Sequence, residues 1–144
     1  MLHKSLRPYT IMGGLIALLL AITAGAGLFV KEFYSPFITR PGLVVALYVQ
    51  DAVSLLAAPL LVAAMWGTRR GSRRALVVWG GVLVYTVYYY AFYVFGNVYN
   101  VAYPLYLALM GLGVYSLIGL LAGVNLPVFA AGVAGKLPVR ALAV

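Results

Sequence analysis

Cysteine is absent from the 144 residues, and two acids, Glu32 and Asp51, stand against ten lysines and arginines. Without cysteine there are no disulfides, thiolate metal sites, haem attachments or thiol nucleophiles. The one histidine, His3, is terminal, so a His-based metal spacing is missing. No Ser–His pairing, second buried-run carboxylate or phosphate-cradling loop is recognisable. These absences point away from an enzyme, and no catalytic residue, metal or cofactor is expected.

Charged residues make up 8% of the chain and apolar residues 65%, with a mean hydropathy of +1.06. Soluble domains carry about 25% charged residues, so this composition belongs in lipid. A net charge of +8 can indicate nucleic acid. Here the basic residues fall in the gaps between apolar runs, where they serve as membrane anchors, and no nucleic-acid partner is expected.

A hydrocarbon core about 30 Å thick needs about 20 apolar residues per helix. Four segments qualify: residues 9–30, 43–66, 75–95 and 102–122. None alternates apolar and polar residues as a barrel wall does. The expectation is an all-α integral membrane protein, one four-helix domain covering residues 1–144. Lys4, Arg7, Arg69, Arg70, Arg73, Arg74, Lys136 and Arg140 fall on one side, and Lys31 and Arg40 on the other. The excess of Lys and Arg marks the cytoplasmic side, which puts both termini inside. The Arg69–Arg74 cluster sets topology and meets lipid head groups, at about 1 kcal/mol per cation.

Two end segments have competing readings. Lys4 and Arg7 followed by an apolar run and Ala24-Gly25-Ala26 also resemble a secretory signal, although the run exceeds the usual apolar length of about 7–15 residues. Residues 123–144 read either as a cytoplasmic interfacial tail or as the start of a fifth helix of a longer chain. Pro138 suits a helix start.

Asp51 lies inside an apolar stretch, with Gln50 beside it and Ser54 one turn on. A carboxyl at membrane depth costs roughly 2.5–3.5 kcal/mol on insertion scales and needs a partner. Asp51 lies about 12 Å below the outer end of the second span. Tyr88 and Tyr89 match that depth on the third span, with Tyr85 a turn deeper. Thr23 on the first span and Tyr106 on the fourth fall near the same layer. Tyr85, Tyr89 and Tyr93 repeat at four-residue spacing and share a face. Phenols can donate to a carboxylate, so Asp51 either keeps its charge on such donors or is carried as the neutral acid. This cluster is a candidate site for a small ligand or a proton. The alternatives are a packing device in a structural or assembly component, an interface with another subunit, and a membrane-embedded enzyme acting on a lipid. Tyr9, Phe33, Tyr34, Phe37, Trp66, Tyr99 and Tyr103 lie near span ends and are expected in the aromatic belts. Gly13, Gly14, Gly25, Gly27, Gly119 and Gly123 are expected at close helix contacts. Pro59 is expected to kink the second span.

Gln50-Asp51 with Ser54, then Arg69-Arg70-Gly71-Ser72-Arg73-Arg74, then the Tyr-rich span closing in Phe95-Gly96 with Asn100, resembles a group of small bacterial multi-pass membrane proteins. The likeness runs from about Gly42 to Leu121. It implies a bacterial inner-membrane location and further helices beyond this chain, and carries no activity, substrate or cofactor. The expected partners are the bilayer and either further copies of the chain or missing C-terminal helices.

Overall fold

The computed structural model describes residues 7–34, 41–96 and 98–131. Among these, the chain forms α1 (Arg7–Phe29), α2 (Pro41–Arg69), α3 (Arg73–Phe95), α4 (Tyr103–Gly123) and a short α5 (Leu126–Ala131), with no strands. The first four are long and apolar enough to cross a membrane. They pack as a ring, α1 on α2, α2 on α3, α3 on α4 and α4 back on α1. Successive antiparallel helices put the start of α1, the α2–α3 turn and the end of α4 at one end, called here the basic end. The loops α1–α2 and α3–α4 lie at the opposite end.

The expected spans hold, with shifted edges. α2 continues past Trp66 to Arg69, and the α2–α3 connection shrinks to a tight turn. Gly71 takes φ +85 there, a left-handed conformation that suits glycine. Ser72 then caps α3, its hydroxyl accepting from the Ala75 amide at 3.3 Å. Arg69 ends α2 where the helix dipole favours a cation, whereas Arg73 and Arg74 open α3 where it does not. Local helix electrostatics therefore does not account for the second pair. The Arg70 guanidinium lies 3.6 Å from the Trp66 ring centre, covering a belt aromatic.

The surface is apolar and the interior is mixed. Ile11, Leu18, Leu56, Val77, Val84 and Leu121 face outward, whereas Thr23, Asp51, Ser54, Thr86 and Ser116 are buried with Ile16, Leu20, Leu61, Trp79 and Leu83. Lipid offers apolar side chains as good an environment as the bundle does. Close packing and hydrogen bonds must therefore hold the helices together. At Gly119 an added Cβ would overlap the Tyr9 ring, so α4 and α1 meet through a missing side chain. Gly14 and Gly25, by contrast, have nothing within 4 Å of such a Cβ and are not close contacts. Pro59 stands within α2 on its exposed side. Phe37, Arg40, Lys4, Lys136 and Arg140 lie outside the described residues, as does the whole tail beyond α5.

Candidate functional site

The Asp51 carboxyl is 2% exposed and sits between α2, α1 and α3 in the half remote from the basic end. Its Oδ2 accepts from the Tyr34 hydroxyl at 2.6 Å, and its Oδ1 accepts from the Tyr93 hydroxyl at 3.2 Å. The two hydroxyls are 3.5 Å apart, and the Tyr89 hydroxyl donates to that of Tyr93 at 3.4 Å. The carboxyl thus ends a chain of phenols, and among the described residues no basic side chain acts on it.

Gly27 on α1 makes room for this arrangement. A Cβ there would overlap the Asp51 carboxyl and crowd the Tyr34 hydroxyl. Tyr34 reaches the site because α1 ends at Phe29 and the chain reverses through Glu32, whose φ of +58 is left-handed. The ring is fully buried, edge-on to Phe33 and Tyr48 with centroids 5.1 and 5.8 Å away. Burial pushes its phenol far above the usual tyrosine range, with Tyr106 and Asp51 adding to the effect. Tyr34 therefore stays a hydroxyl donor at any ordinary pH.

The sequence-derived residues divide into separate groups. Gln50 and Ser54 do not touch Asp51. Gln50 Nε2 donates to the Tyr85 hydroxyl at 2.5 Å, and Ser54 Oγ is 2.9 Å from the same oxygen. Together they form an α2–α3 crossbar. Thr23 hydrogen-bonds the Tyr90 hydroxyl at 3.0 Å and the Leu19 carbonyl at 2.8 Å, linking α1 diagonally to α3. Tyr106 accepts from Asn100 Nδ2 at 3.0 Å and packs edge-on to Tyr93, centroids 4.7 Å apart. Tyr89 joins through Tyr93. Tyr88 does not join at all: it is 77% exposed and points away from the bundle.

Two residues on the carboxyl escaped the sequence reading. Tyr93 was legible as sharing the Tyr85–Tyr89 face. Tyr34 was expected in the interface belt and is instead buried on Asp51. Trp66 and Tyr99 do lie exposed near span ends, as belt residues do.

Two hollows open along the α2–α3 surface. The one nearer Asp51 has a volume of about 230 Å³ and is bordered by Leu43, Gln50, Tyr88, Tyr89 and Phe92. The other, of about 350 Å³, lies towards the basic end. Asp51 lines neither. Among the described residues no group of three or more His, Cys, Asp or Glu is placed to hold a metal. The Arg69–Arg74 cluster lies at the opposite end of the bundle. No family model, curated protein or solved structure matches this chain.

Proposed function

We propose that this chain is a bacterial inner-membrane protein, termini inside, that takes up and releases a proton at Asp51 in its outward half. The observation that carries the reading is the enclosure of a carboxyl whose hydrogen-bond partners, among the described residues, are both phenols. An ionisable group at this depth is costly to keep, which makes it a functional candidate. Neither hollow reaches it, so of the small ligands the sequence allowed, the one that needs no cavity fits best.

The two protonation states demand different bonding. The carboxylate accepts from Tyr34 and Tyr93 together. The neutral acid must donate its own proton, so one phenol has to turn from donor to acceptor. Tyr93 lies within reach of Tyr34's hydroxyl, so Tyr34 can redirect its proton there. A proton on Asp51 thereby changes how the α1–α2 loop is fastened. The Tyr93–Tyr89 run gives a route for that proton towards the α2–α3 hollow.

Infrared difference spectroscopy of the reconstituted protein tests this. A carboxylic-acid carbonyl band should grow as pH falls and vanish in Asp51→Asn. No such band at any pH where the protein stays folded sinks the proposal.

A second reading is favoured by the full set of bonds already on both oxygens. In it the cluster only fastens α1, α2 and α3 in a structural or assembly component. Asp51→Asn then lowers thermal stability and leaves no pH response to lose.

A further inference from the structure

The two hollows on α2 and α3 lie end to end. Leu43 and Phe92 border the outer one, and Leu60 and Val78 border the inner one, so the antiparallel register is continuous. From Leu43 to Leu60 the seam runs about 26 Å, most of a hydrocarbon core about 30 Å thick. At Gly81, in the inner hollow, an added Cβ would meet nothing within 4 Å.

The lining chemistry is divided. The inner hollow is apolar apart from Tyr85 at its top, whereas the outer one carries Gln50, Tyr88 and Tyr89. No lysine, arginine or acid borders either hollow. Gln50 spends one N–H on Tyr85, and its amide oxygen takes no hydrogen bond among the described residues. The exposed Tyr88 hydroxyl has no partner there either. Unpaired polar groups facing hydrocarbon cost free energy until something bonds to them.

We infer that this seam binds one neutral lipid whose carbonyl or hydroxyl head lies about 10 Å below Leu43, near the outer end of α2, and whose tail runs at least about 15 Å further, from Gln50 to Leu60. The head sits among Gln50, Tyr88 and Tyr89, and the tail descends past Tyr85 over Gly81 to Leu60. A phospholipid is a poor occupant. Its charged head finds no counter-charge on the seam and stays at the interface near Leu43, from where its chains reach about 15 Å down and stop short of Leu60. This site is independent of the Asp51 reading.

The test is equilibrium binding to the full chain in phosphatidylcholine nanodiscs. The probes are menaquinone, a long polyprenol and the tail-less ring menadione, with phosphatidylglycerol as competitor. At least one long-tailed probe should bind, and the tighter of the two assigns a carbonyl or a hydroxyl head. Tyr88→Phe and Gln50→Leu should each weaken it about tenfold, with Tyr88→Phe leaving the melting temperature unchanged. Gly81→Leu, or Gly81→Val if the larger side chain disturbs folding, should weaken the long-tailed probe about tenfold and spare menadione. Failure of both long-tailed probes to bind overturns the inference. So does displacement by an equal amount of phosphatidylglycerol, or binding indifferent to all the variants. A disulfide-linked dimer of Gly81→Cys in native membranes also overturns it, since a second copy would then cover the seam.

Discussion

The Tyr34 hydroxyl stands 2.6 Å from Oδ2 of Asp51, which joins a loop residue to a carboxyl well inside α2. A hydrogen bond to an ionised group contributes about 1.5–3 kcal/mol, more than a neutral pair. Tyr34→Phe should therefore destabilise the protein by about 2 kcal/mol in detergent unfolding. In a double-mutant cycle with Asp51→Asn, the coupling should fall within about 0.5–3 kcal/mol. Strictly additive effects would mean the two groups do not communicate.

Gly27 and Gly14 offer a matched pair on α1. Gly27→Ala pushes a methyl into the Asp51 carboxyl, and overpacking of this kind costs about 1–3 kcal/mol. Gly14→Ala meets open space on a helix and should gain about 0.4–1 kcal/mol. Thermal melts of the two variants should move in opposite directions.

Tyr85 and Tyr88 are three positions apart on α3 with different surroundings. Tyr85→Phe removes the crossbar to Gln50 and Ser54, at about 0.6 kcal/mol per bond on the membrane-protein average. Tyr88→Phe removes an exposed hydroxyl with no partner among the described residues and should leave stability unchanged or slightly higher. Unfolding in mixed micelles compares them directly. Equal losses would contradict the placement of Tyr88 outside the bundle.

Tyr34 should contribute to loss of stability in alkali. Its folded phenol ionises only far above the ordinary tyrosine value of about 10, because burial disfavours the phenolate. A group raised on folding contributes its full share below the unfolded value and loses it as pH rises past that point. Stability should decline above pH about 10, and Tyr34→Phe should lose less over that range than the parent. Urea or sodium dodecyl sulfate titrations at stepped pH report the difference.

The spans were readable because the bilayer sets their length and the apolar runs are long, with Asp51 the one charge inside them. The depth of the polar layer was readable from a fixed rise per residue. The inward face was not. Tyr88 and Tyr89 match in depth yet differ by about 100° around the helix, which sends one outward and the other towards Tyr93. Each span is apolar nearly all round, so no stripe in the sequence marks its inner side. Tyr34 was harder still. It follows the end of a span beside Lys31 and Glu32, the usual setting of a belt aromatic. Its burial depends on a backward turn at Glu32 that a non-glycine sequence does not announce. Gln50 and Ser54 were grouped with Asp51 by proximity along α2, but they serve a separate crossbar to Tyr85.

Tyr34 and Asp51 are 17 positions apart, on either side of a single hairpin. Tyr93, the other donor, belongs to a helix made later. As the chain leaves the ribosome, the first two helices enter the bilayer already carrying a companion for their acid. The first hairpin can settle with that acid shielded, and the third helix arrives to complete the enclosure.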